Sequence, residues 1–417
     1  MERHKEQPLP KRNSIPDNKL VLFLFSLSLS FLHVTHGHSP DPTTIQELRI
    51  RNGLPNFFRK LASKKEVKVA YLGGSITKAN GWRTKSFEWL EKQYPQVTFK
   101  QINAAIGGTN SDFGACRLDE YVLQYQPDLL FVEYRVNSGG NKPERAIEGI
   151  VRRTKAANPE TDICFVYTLG EWMIETLAQG KQTWYGTKME QIANHYGIPS
   201  IDYAPEVIGQ LEKGVLSFNV QKREEGKLWF TKDRCHPTDE GHELYRDIIA
   251  RSFVKLSTHH VGKQPYKEIP PLHENHYSNA RFQPLSSVTR SNGWELVDPD
   301  SDTFYPKNKF RAGHMLGKEV IRTDKVGASF TVTWDGPHLG FTTIPHGGGT
   351  VIEVLVDGKN AQSFKIDGSK KYRGHTASRV YYLKDQDEGK HTATFTVKEV
   401  AKDAYFYVGQ FMVLKPN

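Results

Sequence analysis

The stretch VKVAYLGGSIT, residues 67–77, decides the fold prediction. It begins as a short apolar run with β-branched residues, which is typical of a strand buried in a sheet. Gly73 and Gly74 end the run and permit a tight turn. Ser75 then stands where a helix is expected to begin, so it either caps that helix or projects its hydroxyl into a crevice. The sequence leaves both roles open.

Apolar runs and helical patterns alternate after this stretch. Further apolar runs lie at 97–105, 127–136, 161–169 and 198–202, and the helical patterns lie at 86–94, 117–125, 144–157, 189–196 and 238–256. This alternation predicts an α/β domain over residues 39–260, with a parallel sheet covered by helices on both faces. Sites in such sheets form beyond the carboxyl ends of the strands, so chemistry is expected there.

The pattern changes after residue 260. Residues 261–290 are rich in Pro, His and Asn and predict a linker. Residues 291–417 contain short segments of alternating polarity separated by turns such as Asp-Gly, which predicts an antiparallel β-sandwich of the jelly-roll kind. Its aromatic side chains are candidate sugar platforms, although aromatics in sandwiches are more often core. These candidates are Trp294, Tyr305, Trp334 and Tyr372.

The amino terminus has the pattern of a secretory signal. Residues 20–34, LVLFLFSLSLSFLHV, are nearly all apolar or Ser, and a stretch with five basic and three acidic residues precedes them. This pattern predicts a signal peptide over residues 1–38 and a secreted or periplasmic protein. A retained membrane anchor is the alternative. No other stretch is apolar enough over its length to span a membrane, so no stable insertion is expected once the signal is removed.

Composition excludes several classes of protein. Hydrophobic residues make up 37% of the 417 residues, which excludes a wholly disordered chain. The net charge of +9 is spread without a basic block, so no nucleic-acid partner is predicted, whereas acidic glycans remain possible partners. Three cysteines exclude a disulfide-stapled scaffold. Cys164 is expected in the core, and a disulfide between Cys116 and Cys235 stays open.

Two further motifs follow the second and third predicted strands. NAAIGGTNS at 103–111 contains Gly107 and Gly108, which allow a backbone amide to approach a ligand or form a tight turn. VEYRVNSGG at 132–140 contains Asn137, whose amide N–H₂ can donate to an oxyanion or form an Asx-turn. Each signal alone is weak.

The last motif is DRCHPTDEGH at 233–242, just before the final helix. Asp233 and His236 are spaced so that a loop can present the imidazole to Ser75 while the carboxylate orients the other ring nitrogen. A capping Asp and a surface His are the structural alternatives. A metal site of Cys235, His236 and His242 is disfavoured because no spaced pair of ligands occurs elsewhere, so no metal or cofactor is predicted.

The order of these four motifs resembles that of the SGNH (GDSL-type) hydrolases, from Val67 to Leu256. The resemblance implies a flavodoxin-like three-layer α/β/α domain and ester hydrolysis without a metal. It implies the following roles by position: Ser75 as nucleophile, His236 as base, Asp233 as its orienting carboxylate, and Ser75, Gly108 and Asn137 as the oxyanion hole.

This sequence departs from the family pattern at two motifs. Gly74 stands where the first motif has Asp, and the third motif reads Arg135-Val136-Asn137-Ser138 where Gly-x-Asn-Asp is usual. Arg135 is therefore a candidate ligand for an anionic group of the substrate, with a structural cation as the alternative.

The leader and the appended sandwich resemble those of extracellular carbohydrate esterases, which implies an acetylated glycan as substrate. The segment 170–186 is expected to overhang the crevice, and its candidates for sugar stacking are Trp172, Trp184 and Tyr185. A lysophospholipase or thioesterase, and a glycan-binding protein with a vestigial hydrolase fold, remain alternatives. No pattern in the sequence predicts an oligomeric state.

Overall fold

The computed structural model describes residues 40–63, 66–259, 268–298, 309–310, 315–345, 348–367, 376–377 and 379–415. The predicted signal peptide, Tyr305 and Tyr372 lie outside these ranges. Among the described residues, no helix is both long and apolar enough to cross a membrane. The chain from Pro40 onward forms one compact unit.

Local capping signals mark the ends of some helices in the first region. The Thr238 side chain accepts the backbone N–H of Gly241 at the start of the last helix, and Gly197, in the left-handed conformation, ends the helix before β6. The helices are α1 (Pro55–Ala62), α2 (Ser75–Lys78), α3 (Trp82–Gln93), α4 (Ser111–Cys116), α5 (Leu118–Tyr121), α6 (Pro143–Ala157), α7 (Ile174–Ala178), α8 (Trp184–Tyr196), α9 (Ala204–Glu212) and α10 (Asp239–Ser257). Short 3₁₀ turns lie at Leu123–Tyr125, Arg135–Asn137, Glu171–Met173 and Leu285–Ser287.

A six-stranded sheet forms the centre of this region. Its strands are β1 (Leu48–Arg49), β2 (Val67–Gly73), β3 (Phe99–Asn103), β4 (Leu129–Glu133), β5 (Asp162–Tyr167) and β6 (Ser200–Asp202). They lie in the order β1-β6-β5-β4-β2-β3, and all pairs are parallel except that of β1 with β6. A short parallel pair, β7 (Leu216–Ser217) and β8 (Leu228–Trp229), lies outside it. The order of the parallel strands is the flavodoxin-like one, so the α/β prediction is confirmed.

Both faces of the central sheet are buried. Tyr71 and Phe131, on neighbouring strands, stack at a centroid distance of 5.0 Å in one core, whereas Leu72 and Val132 enter the core on the opposite face. Burial on both faces explains why these strands are continuous apolar runs in the sequence rather than alternating ones.

The second region consists mainly of antiparallel sheets. Its strands are β9 (Arg281–Gln283), β10 (Thr289–Arg290), β11 (Glu295–Val297), β12 (Lys309–Phe310), β13 (Val320–Thr323), β14 (Ser329–Asp335), β15 (His338–Thr343), β16 (Thr350–Val356), β17 (Lys359–Ile366), β18 (Thr376–Ala377), β19 (Arg379–Tyr382), β20 (Lys390–Val400), β21 (Phe406–Val408) and β22 (Phe411–Leu414). The main sheets have the orders β10-β14-β20-β16-β17 and β19-β15-β22-β9. A three-stranded sheet β11-β13-β21 and a parallel pair β12-β18 accompany them. The β-rich second region is therefore confirmed.

The four-stranded sheet is shared between the two regions. On β22, Phe411 and Val413 belong to the sandwich core, while the alternate residues Met412 and Leu414 pack with the helical layer of the α/β region. The segment predicted as a linker, 261–290, contributes β9 to this sheet and β10 to the five-stranded one. The Pro and Asn residues of this segment predict turns and do not predict these two short strands.

Candidate active site

Ser75, His236 and Asp233 form one hydrogen-bonded line. Asp233 Oδ2 lies 2.7 Å from His236 Nδ1, and His236 Nε2 lies 2.7 Å from Ser75 Oγ. Because an ionised carboxylate only accepts, Nδ1 carries the proton and Nε2 of the neutral ring accepts from the serine hydroxyl. The structure thus brings together three side chains that the sequence separates by up to 161 positions.

The turn before Ser75 has space only for glycine. A Cβ on Gly74 would lie 2.1 Å from Asn137 Oδ1, and one on Gly73 would lie 2.8 Å from the carbonyl oxygen of Glu133. The backbone of Gly74 therefore packs directly against the side chain of Asn137.

The loop that carries Asp233 and His236 is held in two ways. Asp233 Oδ1 accepts the backbone N–H groups of Cys235 at 3.1 Å and of His236 at 2.7 Å, which orients the carboxylate. The backbone N–H of Glu171 donates to the Arg234 carbonyl at 2.8 Å and ties this loop to the segment after β5. Contacts within the loop and a contact with the segment after β5 therefore hold the loop that carries the His236 imidazole.

Ser75, Gly108, Asn137 and His236 line one open cavity of about 590 Å³. Gly108 has φ +72°, a conformation that favours glycine, at the turn after β3. Asn137 ends the short turn that follows β4. The remaining lining residues are Thr109, Asn110, Phe113, Val136, Gly140, Trp172, Cys235, Met315, Arg379, Val380 and Tyr382.

The sandwich supplies one wall of this cavity. Arg379, Val380 and Tyr382 lie on β19, and the Tyr382 hydroxyl accepts a hydrogen bond from Asn110 Nδ2 at 3.2 Å. Close by, Asp385 accepts from Asn141 Nδ2 at 3.1 Å and forms an ion pair with Lys142 at 2.8 Å. These residues were not among the candidates, because period-two alternation in the sequence indicates that β19 is a strand but not which element it faces.

Arg135 does not reach the crevice, so the expectation that it binds an anionic substrate group is wrong. It is 0% exposed, forms an ion pair with Asp202 at 2.6 Å and donates to the carbonyl oxygen of Thr168 at 2.9 Å and to Gln182 Oε1 at 3.0 Å. The guanidinium donors are directed at the ends of β5 and β6 and at the Gln182 side chain. Arg135 is therefore a structural cation, the alternative considered above.

The candidate aromatic platforms separate into exposed and buried groups. Trp172 is exposed and lines the cavity, whereas Trp184 is exposed but does not line it. Tyr185 is buried, with its hydroxyl 2.6 Å from Ser111 Oγ, so it cannot stack on a sugar. In the sandwich, Trp334 is buried, and Trp294 packs edge-on against Phe330 and Phe406 in the core.

Two buried carboxylates near the site were also not among the candidates. Glu133 ends β4 and Asp112 lies in α4, and both are 0% exposed. Burial raises the pKa of Asp112 to about 7, although the backbone N–H of Asn141 donates to it at 2.6 Å. A carboxylate ending an otherwise apolar strand was the available signal for Glu133.

Cysteine and histidine side chains near the site have ordinary structural environments. Cys116, Cys164 and Cys235 are free thiols, so the disulfide left open above is not formed. His242 Nδ1 accepts the backbone N–H of Trp82 at 3.1 Å, and burial lowers the pKa of this ring to about 4. Within the described ranges, no group of three or more His, Cys, Asp and Glu side chains is arranged to hold a metal ion.

The chain resembles known proteins in part of its sequence and in its fold. Residues 71–244 match the model of the GDSL-like Lipase/Acylhydrolase family. Two crystal structures of a two-domain esterase (CEX) active on acetylated mannans, one with mannopentaose, align over 89% of this chain and 99% of theirs. Identity is 21% in both, with TM-scores of 0.70 and 0.72. No curated protein sequence matches the chain. The resemblance and the two-region fold are thereby confirmed.

Proposed function

We propose that this protein is a serine esterase that removes O-acetyl groups from a polysaccharide. The observation that carries the proposal is the line of contacts from Asp233 through His236 to Ser75, with 2.7 Å at each step. These distances are those needed for a base to take the proton of a nucleophilic hydroxyl while a carboxylate orients the ring.

The chemistry follows from these contacts. His236 Nε2 takes the Ser75 proton as Oγ attacks the ester carbonyl, and the resulting imidazolium is stabilised by Asp233. The bond between the carbonyl carbon and the sugar oxygen then breaks, His236 gives its proton to that oxygen so that the sugar leaves as an alcohol, and an acetyl group remains on Ser75. A water molecule, deprotonated by the same imidazole, releases acetate and restores the serine.

The oxyanion of each tetrahedral intermediate would lie between the loops that line the cavity beside Ser75. The backbone N–H groups of Ser75 and Gly108 and the side-chain N–H₂ of Asn137 are the proposed donors. Donors of this kind are each worth roughly 3–4 kcal/mol in the transition state, because they face the developing charge without needing to reorganise.

The substrate class rests on the shape and lining of the cavity. The site is open rather than tunnel-like, it carries the exposed ring of Trp172, and polar groups from both regions line it. The structural neighbour is active on acetylated mannans. We therefore propose acetylated mannan as the first substrate to test. Action on an extracellular polymer also suits the proposed signal peptide over residues 1–38.

Acetate release from acetylated mannan, with acetylated xylan and long-chain acyl esters beside it, tests the proposal. The wild-type protein is expected to release acetate from mannan fastest, and Ser75→Ala is expected to abolish release. Ser63→Ala, at an exposed serine after α1, is the matched control and should behave as wild type.

Two results would overturn the proposal. Faster turnover of long-chain acyl esters would indicate a lysophospholipase or thioesterase. Binding of glycan without hydrolysis of any ester would indicate a glycan-binding protein with an inactive hydrolase fold.

A further inference from the structure

Glu133 is a buried carboxylate that the proposed reaction does not use. It ends β4, is 0% exposed, and does not line the cavity. Its Oε2 accepts from Thr77 Oγ1 at 2.8 Å, its Oε1 accepts from Thr168 Oγ1 at 2.6 Å, and the backbone N–H of Gly74 also donates to it. The carboxylate therefore connects the ends of β4 and β5 to the turn that carries Ser75.

The placement of these donors is specific to the nucleophile. Gly74 directly precedes Ser75, and Thr77 follows it by two residues within α2, so Glu133 holds the turn on both sides of the serine. Burying a carboxylate is unfavourable unless hydrogen bonds compensate it. The three donors and nearby Arg135 offset part of this cost, but burial outweighs them and raises the pKa of Glu133. An apolar residue at this position would leave the Thr77 hydroxyl and the Gly74 N–H without their acceptor.

We propose that Glu133 is a positioning residue of the esterase, which holds the Gly74–Thr77 turn so that Ser75 Oγ stays in contact with His236 Nε2. The inference rests on the proposed function of Ser75. Asn137 packs on Gly74, so a displaced turn would disturb the oxyanion site as well. The effect should fall on kcat and not on KM, because Glu133 touches none of the substrate.

Glu133→Gln tests the inference, since it keeps the shape of the side chain but places an amide N–H₂ opposite a donor. We expect the rate of covalent labelling of Ser75 by a small fluorophosphonate to fall about 10–100-fold, as for a small misplacement of reacting atoms. On acetylated mannan, kcat per titrated active site should fall in the same proportion, with KM within about twofold of wild type.

Glu148→Gln is the matched control for the loss of a buried carboxylate. Glu148 is also 0% exposed and accepts from the Tyr196 hydroxyl at 2.6 Å and from the backbone N–H groups of Leu272 and His273, away from the cavity. This variant should melt at a lower temperature than wild type while keeping the wild-type labelling rate. A structural role for Glu133 alone would make both variants behave in this way.

A second pair of variants keeps the inference testable if Glu133→Gln fails to fold. Thr77→Ser retains the hydroxyl that donates to Glu133 and should label nearly as wild type, whereas Thr77→Val should label several-fold more slowly. Equal labelling of wild type, Glu133→Gln and Thr77→Val would overturn the inference and leave the proposed function intact. Failure of the wild-type Ser75 to react at all would overturn the proposed function, and the inference with it.

Discussion

Each of the two regions contains a histidine held by an aspartate, and the two pairs differ at the second ring nitrogen. In the α/β region, His236 Nε2 contacts the hydroxyl of Ser75. In the sandwich, His391 Nδ1 lies 2.8 Å from Asp357, and its Nε2 lies 2.8 Å from the carbonyl oxygen of Asp387. Both ring nitrogens of His391 therefore face acceptors, and neither of these two contacts is with a hydroxyl that the ring could deprotonate.

The electrostatics of the sandwich pair agree with this difference. Burial lowers the pKa of His391, but the hydrogen bonds to Asp357 and to the Asp387 carbonyl outweigh it and raise the pKa above its usual value. A carboxylate–imidazole pair is therefore not by itself a sign of catalysis. The two pairs differ in that the second ring nitrogen of His236 contacts the Ser75 hydroxyl. Ser75 follows a strand of the parallel sheet, whose strands end at the edge where His236 lies.

Replacing the two histidines tests this contrast most strongly. His236→Gln should lower kcat for acetate release by at least about 10⁴-fold, because the base for Ser75 is lost. His391→Gln should keep the wild-type kcat and lower only the melting temperature. A comparable loss of kcat in both variants, measured per folded protein, would contradict the assignment of roles.

The oxyanion donor gives the next largest expected effect. Asn137→Ala should lower kcat by about 10²–10³-fold, since a single donor to the developing charge is removed. Asn292→Ala, at an exposed asparagine of the sandwich, is the control and should leave kcat unchanged. If Asn137→Ala raised KM alone, the side chain would be a substrate ligand and not an oxyanion donor.

Changes in the cavity wall formed by β19 should affect KM for the glycan more than the turnover rate. Arg379→Ala should raise KM for acetylated mannan oligosaccharides about tenfold, because a hydrogen bond from a charged group is worth about 1.5–3 kcal/mol. Turnover of a small acetyl ester should not change, since such a substrate does not reach β19. Arg290→Ala, at an exposed arginine on β10, is the matched control; equal effects of the two changes would show that β19 does not contact substrate.

The smallest expected effect is that of Asp112 on the pH dependence of the protein's stability. Burial raises the pKa of Asp112 from 3.8 to about 7, so between these values the folded protein holds a proton that the unfolded chain has released. Its contribution to stability is therefore lost as pH rises from about 4 to about 7. Asp112→Asn should gain at least about 2 °C in melting temperature relative to wild type between pH 5 and pH 8. A pH-independent difference between the two proteins would contradict this pKa.

The order of motifs predicted most of the candidate site. Ser75 follows a parallel strand, and Asp233 and His236 precede the final helix. These positions predict that the three side chains meet at one edge of the sheet. Glu133 and Asp112 were not predicted, since a lone acidic residue in the sequence gives no indication of which donors will surround it. The position of Arg135 within a motif predicts a place in the crevice. The direction of its side chain depends instead on Asp202, which is 67 residues away in the sequence.

The sequence by itself determined the two types of sheet, because strand burial on one face or two is recorded in the period of apolar residues. It also determined which residue types stand at the ends of the parallel strands. Only the tertiary structure decided that β19 closes the cavity, that Tyr185 is buried and that Arg135 turns away from it. Contacts such as that of Asn110 with Tyr382 join positions 272 residues apart, and local periodicity contains no information about partners at that separation.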